Sequence, residues 1–148
     1  MSQFIYITPE QARETHEKTI KHSGGGTVEE LDFGKLEGVL YNIQNDDWYP
    51  TFVDKLTHLF FCTCQFHCFA DGNKRLAITL STLFLLLNGH LAIAQTFLAK
   101  TENISLNVAA SKIDKELLHK IMTSIMYGTY DDNEVLKLEI YNAINREL

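Results

Sequence analysis

The sequence predicts an all-α fold, a compact helical bundle around a buried central helix. Apolar residues recur every three or four positions along most of the chain, the period of one helical face. The alternation typical of strands occurs only at residues 4–7 and 27–33, and both stretches are too short for a sheet core. The length of 148 residues is that of about one ordinary domain, so we expect a single domain over residues 1–148.

The first helix is predicted from Pro9 to about His22. Thr8, Pro9 and Gln11 supply a capping hydroxyl, a proline at the first helical position and a glutamine at the third. The glycines at 24–26 then end the helix, because glycine loses much backbone entropy in regular structure. A phosphate-binding loop is the alternative for this segment, but the lysine and hydroxyl residue of P-loop spacing do not follow it. We therefore favour a hinge.

Helical periodicity predicts three helices in the middle of the chain, over residues 31–43, 50–66 and 73–88. The third is apolar on nearly every face, which is typical of a helix surrounded by others. Asn88-Gly89 is a good C-terminal stop for it. We expect this helix to form the centre of the bundle.

Three further helices are predicted over residues 94–110, 113–127 and 132–146. Gly128 and the pair Asp131-Asp132 separate the last two.

Charge and composition exclude several classes of protein. The net charge of -6 argues against the broad basic surface of a nucleic-acid binder, so we expect no direct nucleic-acid contact. The run from Leu76 to Leu87 is shorter than the ~20 apolar residues that cross a bilayer, and the first residues lack a secretory signal. Three cysteines within residues 62–68 cannot form a paired disulfide framework. These features predict a cytoplasmic protein without a membrane anchor.

The segment from His67 to Arg75 has the composition of an anion site. It lies between two predicted helices, so its polar residues occupy a loop and the first turn of the central helix. Backbone N–H groups at that turn have no internal acceptor and attract anions. Gly72 allows close backbone approach, Asn73 caps the helix or holds the loop, and Lys74 adds a cation beside the planar guanidinium of Arg75.

Two residues of the same segment suggest chemistry on a phosphate. Asp71 is suited to hold Mg²⁺, which proteins bind through one or two carboxylates together with substrate phosphates. His67 is suited to remove a proton from an attacking hydroxyl, since the ordinary pKa of histidine is ~6.5. Phe69 between them is expected to anchor the loop in the core. A base, a metal ligand, an anion hole and cations are the parts of a phosphate-transfer site.

A zinc site is a competing hypothesis, because several ligand types lie close together in the sequence: His58, Cys62, Cys64, His67 and Cys68. Geometry argues against it. Cys62 and Cys64 are two positions apart and face nearly opposite ways on a helix, and buried free cysteine is common.

The segment also resembles the active-site motif of the Fic/Doc superfamily. His67-Cys68-Phe69-Ala70-Asp71-Gly72-Asn73-Lys74-Arg75 matches the pattern His-x-Phe-x-Asp-Gly-Asn-Lys-Arg. Residues 7–11 with His16, residues 32–37 and residues 83–89 are similar to chains of the Doc (death-on-curing) type. The similarity extends to about Leu91, and residues 129–148 are then interpreted as a C-terminal helical extension of the Fic fold.

This resemblance implies a role for each motif residue. His67 is the catalytic base, Asp71 the Mg²⁺ ligand, and Gly72, Asn73, Lys74 and Arg75 bind the nucleotide. Lysine at position 74 is the Doc-like residue and implies phosphorylation of a protein hydroxyl with ATP and Mg²⁺. AMP transfer is the alternative, because typical Fic enzymes have glycine there. Cys68 replaces a frequent proline, which is interpreted as a neutral change of loop stiffness.

The resemblance also implies partners. Through its Doc-type segments the chain resembles toxins that phosphorylate elongation factor Tu. We therefore expect a translation factor as target and a toxin–antitoxin role. The inhibitory pattern Ser/Thr-x-x-x-Glu-Gly/Asn has its nearest match at Glu37-Gly38, where Phe33 replaces the hydroxyl residue. We therefore expect a separate antitoxin. The alternative to an antitoxin is a C-terminal helix that covers the site or forms a homodimer. The alternative to an enzyme is a catalytically silent nucleotide-binding module.

Overall fold

The fold is all-α in a computed structural model of the chain, which describes residues 4–146. Within that range seven helices follow one another: α1 Pro9–His22, α2 Phe33–Asn42, α3 Phe52–Gln65, α4 Asn73–Leu87, α5 Leu91–Ala109, α6 Lys115–Met126 and α7 Glu134–Ile144. The predicted all-α class is confirmed. Each predicted helix is present. The largest difference is at α5, which begins three residues before the predicted Ala94, because Ala94 N donates to His90 O at 3.0 Å and so closes a helical turn that starts at Leu91.

Local capping explains where the helices before and after the motif begin. The Thr8 hydroxyl accepts a hydrogen bond from Gln11 N, and the Gln11 side chain accepts one from Thr8 N, so the predicted capping box is confirmed. Thr51 and Asp54 form the same arrangement at the start of α3. By contrast, α4 begins after Gly72 and no side chain caps it. Its first N–H groups are therefore available to a ligand.

The helix α4 is the centre of the bundle, as predicted. It packs between α3 and α5, and α1 lies along a further side. Leu76, Leu80 and Phe84 are fully buried, and Phe84 stacks on Phe52 of α3 with ring centroids 4.7 Å apart. Burying a side chain of this size stabilises the fold by about 1.5–3 kcal/mol. The start of α4 is thus held rigidly by packing on three neighbouring helices.

The segment before α2 forms a strap across the motif loop. Leu31 N and Asp32 N both donate to Cys68 O, at 2.9 and 3.0 Å, and Ala70 N donates to Glu29 O at 3.0 Å. These bonds include one isolated bridge between Glu30 and Phe69, and no strand occurs within residues 4–146. The prediction that residues 27–33 are too short for a sheet core is confirmed. The strap ties the motif loop to the body of the protein.

The helix α7 lies at the edge of the bundle on α6. Leu136 and Ile140 are buried in that contact, whereas Val135, Leu138 and Tyr141 are 60–73 % exposed. Lys112 Nζ donates to Ile144 O and holds the end of the helix.

Candidate active site

His67 lies directly after α3 in a conformation that histidine rarely adopts. Its φ is +48°, in the left-handed region, where a side chain other than glycine costs about 1–2 kcal/mol. Phe66 ends the helix with its N–H bonded to Cys62 O, and the left-handed residue then turns the chain away from the helix axis. The His67 side chain is exposed and lines a cavity. Such strain is often found where a side chain must be aimed at a ligand.

The turn into α4 is made by Gly72, and only glycine fits it without strain. Its φ is +79°, and a Cβ added there would lie 2.8 Å from Ile20 Cδ1 of α1. Leu76 N donates to Gly72 O at 2.8 Å, which closes the first helical turn. The N–H groups of Gly72 and the next three residues precede that bond, so they have no acceptor within the helix and are available to an anion.

Asn73 holds the motif loop with its side chain. The Asn73 amide accepts from Phe69 N at 3.2 Å and donates to Phe69 O at 2.8 Å. Of the two predicted roles, the side chain therefore has the loop-holding one, and only the backbone N–H of Asn73 is available to an anion. Phe69 is 1 % exposed, so the prediction that it anchors the loop is confirmed.

Lys74 and Arg75 provide the positive charge of the site. Both side chains are exposed and line the same cavity as His67. In the part of the chain that the structure describes, neither forms an ion pair. Two cations beside the first turn of a helix, with no carboxylate within ion-pair distance, favour an anionic ligand.

Asp71 is held at two points by residues outside the motif. Its carbonyl oxygen accepts a hydrogen bond from His16 Nε2 at 2.8 Å, and its Oδ2 accepts one from Thr27 N at 3.1 Å. The other carboxylate oxygen, Oδ1, has no hydrogen bond among residues 4–146. A carboxylate with one oxygen bonded to the protein and one available fits a metal ligand.

These residues share one cavity of about 470 Å³ between the motif loop, α4 and α5. Every predicted site residue lines it: His67, Asp71, Gly72, Asn73, Lys74 and Arg75. The structure therefore brings together a strained histidine, a carboxylate, two cations and an uncapped helix end.

The family comparison agrees with this arrangement. The sequence model of the Fic/DOC family matches residues 6–85, more than half of the chain, and the match contains the whole motif. The chain belongs to the Fic/DOC family. A search of curated proteins and a search of solved structures gave no match. Family membership supports a transferase that moves nucleotide-derived groups to proteins and typically uses ATP with Mg²⁺.

The α5 wall of the cavity was not predicted from the sequence. Glu102, Ser105, Leu106 and Ala109 line it opposite the Fic/DOC motif. The signal that would have located them is the tight Asn88-Gly89 turn, because residues equally far from such a turn lie side by side in two antiparallel helices. Glu102 places a carboxylate in a cavity that otherwise favours anions, so it is a candidate for setting ligand preference.

The glycines at 24–26, predicted as a hinge, also lie against the motif. Gly26, with φ +129°, lies beside the Asp71 carboxylate, since a Cβ there would be 3.5 Å from Asp71 Oδ2. Thr27 follows and supplies the N–H that binds this oxygen. The segment is therefore a hinge that also contacts the motif of this Fic/DOC protein.

The thiols near the motif are inert. Burial raises the pKa of Cys64 to about 12, although the nearby Lys74 ammonium acts in the opposite direction, and burial likewise raises the pKa of Cys62 to about 11. Cys68 is also buried and its pKa is raised. Thiols in this state are poor nucleophiles and poor metal ligands at neutral pH.

Two of the five groups of the zinc hypothesis have partners outside it, and Cys62 Sγ lies 3.6 Å from the His58 ring. His58 accepts a hydrogen bond from Lys115 Nζ at 2.6 Å, and Cys64 Sγ lies 3.8 Å from Ser105 O. No group of three or more potential ligands that could hold a metal occurs among the described residues.

No helix within residues 4–146 is long and apolar enough to cross a membrane.

Proposed function

We propose that this protein is a Doc-like kinase that transfers the γ-phosphoryl group of ATP to a hydroxyl group of a target protein. The observation that carries the proposal is the single cavity in which His67, Asp71 and the uncapped end of α4 meet with Lys74 and Arg75. Lysine at position 74, where AMP-transferring relatives have glycine, favours phosphoryl transfer.

The geometry supports a role for each of these groups. The N–H groups at the start of α4 and the two cations hold the phosphates of ATP. Asp71 would hold Mg²⁺, and the bound ion would supply positive charge beside the phosphate oxygens. His67 takes the proton from the target hydroxyl as the hydroxyl oxygen attacks the γ-phosphorus. The bond between the γ-phosphorus and the β,γ-bridging oxygen breaks, and ADP leaves with the electron pair.

Labelled ATP tests this reaction directly. The purified protein is incubated with cell extract and ATP that carries the label at either the α or the γ position. We expect protein-bound label from γ alone, its loss in His67→Ala and its retention in His22→Ala, a control at an exposed histidine of α1. Label from the α position would show AMP transfer instead. No label in any sample, with ATP binding intact, would show a silent nucleotide-binding module.

The target and the biological role rest on family resemblance. Elongation factor Tu is the proposed target and growth inhibition the proposed effect, with the protein acting in the cytoplasm as the toxin of a toxin–antitoxin pair. Expression of the wild type should slow growth, whereas His67→Ala should not. Harmless expression of an enzyme that is active in the labelling assay would contradict the toxin role.

An apolar groove of about 370 Å³ supports control by a separate antitoxin. It lies between α1, α4 and α5, and Leu83, Leu86 and Leu98 line it, while Lys18 and His22 add polar groups. An amphipathic helix with an acidic edge complements such a surface. We therefore propose that the antitoxin contributes a helix of this kind.

Leu98→Asp in the natural host tests this proposal. The variant should escape the antitoxin and inhibit growth, whereas Leu91→Asp, at a 62 % exposed position that does not line the groove, should remain controlled. If both variants remain controlled, the groove is not the antitoxin site.

Self-inhibition by the C-terminal helix is the competing form of control. None of the residues that line the motif cavity belongs to α7. Deletion of residues 130–148 should therefore leave γ-label transfer unchanged. A large rise in transfer would show self-inhibition. Loss of solubility would show that α7 is needed for the core of the proposed single domain, and a change from dimer to monomer would show that its exposed face forms a homodimer.

A further inference from the structure

His16 of α1 lies far from the motif in sequence but in contact with it in space. The residue is 1 % exposed, and its ring stacks on Phe69 with centroids 3.6 Å apart and an angle of 13° between the planes. Its Nε2 lies 2.8 Å from Asp71 O. A carbonyl oxygen only accepts, so Nε2 carries the proton and donates.

This hydrogen bond fixes the peptide between Asp71 and Gly72. A trans peptide is planar, and its C=O and N–H point in opposite directions. Because the Asp71 carbonyl is directed at the buried His16 ring, the N–H of Gly72 is directed away from it. The Gly72 N–H forms no hydrogen bond among residues 4–146, so it remains available as the first donor of the helix end.

A second contact fixes the Asp71 side chain. Thr27 N donates to Oδ2, and Oδ1 stays available. The backbone and the carboxylate of Asp71 are thus held by two different parts of the chain, α1 and the loop after it. Partners of this kind orient a metal ligand without touching the metal.

We propose that His16 is a positioning residue of the active site, which sets the direction of the Gly72 N–H and, together with Thr27 N–H, presents one oxygen of Asp71 to a phosphate-bound metal ion. This proposal rests on the proposed function only for the identity of the ligand, Mg²⁺ with ATP. The arrangement of the Asp71–Gly72 peptide does not depend on it.

Two substitutions separate the hydrogen bond from the ring contact. His16→Phe keeps an aromatic ring on Phe69 and removes the donor, and His16→Gln keeps an N–H donor at the end of a flexible side chain. We expect affinity for ATP with Mg²⁺ to fall about 10- to 100-fold in His16→Phe, the range for loss of a partner that orients a metal ligand. His16→Gln should recover part of that loss. Lys21→Phe, at an exposed position of the same helix that lines neither the motif cavity nor the apolar groove, should have no effect.

Hydrogen exchange of the Thr27 amide gives a readout without nucleotide. Loss of the His16 hydrogen bond should loosen Asp71 and speed the exchange of this amide in His16→Phe, and not in Lys21→Phe. Equal exchange in the wild type and His16→Phe would overturn the positioning role, and so would equal affinity for ATP with Mg²⁺. A wild type that binds no nucleotide would instead contradict the proposed function, while the exchange measurement still decides the role of His16.

A change at Thr27 tests the second contact if His16→Phe fails to fold. Thr27→Pro removes the N–H donor, whereas Thr27→Ala keeps it, and the position is exposed in a loop. Affinity for ATP with Mg²⁺ should fall in Thr27→Pro and stay near the wild-type value in Thr27→Ala. Equal affinity in the two variants would overturn the proposal.

Discussion

The substitution Gly72→Ala probes the close approach of α1 to the motif. At φ +79° an alanine costs about 1–2 kcal/mol, because its Cβ crowds the backbone in the left-handed region. The new Cβ would also lie 2.8 Å from Ile20 Cδ1, well inside the ~3.5–4.0 Å optimum for two carbon atoms. Ile20 must then leave its preferred rotamer, at a cost of about 0.5–1.5 kcal/mol. The expected loss of stability is about 1.5–3.5 kcal/mol.

Gly128→Ala is the matched control, since its φ is +69° and no atom lies within 4 Å of an added Cβ. It should show only the backbone cost of about 1–2 kcal/mol. Ile20→Val removes the Cδ1 atom, so Gly72→Ala should cost less in that background than in the wild type. Urea denaturation of the single and double variants gives the coupling energy. If Gly72→Ala and Gly128→Ala are equally destabilising, the described contact between α1 and the motif is wrong.

Two further predictions concern titration and charge. Burial, and secondarily the Lys115 ammonium, lower the pKa of His58 to about 4 in the folded protein, whereas a histidine in an unfolded chain has a pKa of ~6.5. As the pH decreases, the unfolded state therefore binds a proton at this residue before the folded state does. The free energy of unfolding should fall as the pH decreases from ~6.5 towards 4. Urea denaturation at several pH values should show a smaller fall in His58→Gln, and an equal fall would assign the effect to other groups. Glu102→Gln should raise affinity for the triphosphate about 1.5- to 5-fold by removing a carboxylate from the motif cavity, as an isolated exposed charge contributes only ~0.2–1 kcal/mol. Calorimetric titration measures this affinity, with Glu116→Gln as the control because Glu116 does not line that cavity. Weaker binding in Glu102→Gln would show that Glu102 contacts the ligand favourably.

Local sequence signals determined the helices and the place of the motif. Thr8 with Gln11, and Asn88 with Gly89, act within one or two helical turns, so their effect is readable without knowledge of the fold. The apolar residues on nearly every face of α4 likewise predicted a central helix, because a helix surrounded by others buries most of its faces. The candidate site residues were therefore located from the sequence.

Only the tertiary structure decided which other residues join them. His16 reaches Asp71 across 55 positions of the chain, and Glu102 faces the motif because α5 folds back along α4. Lys55 shows the same limit, since its ammonium is fully buried and donates to Ile43 O and Asp46 Oδ1. Periodicity reports which face of one helix is apolar, but it does not report which polar atom of a distant helix will meet it. That pairing depends on how the helices pack, and packing is a property of the whole chain.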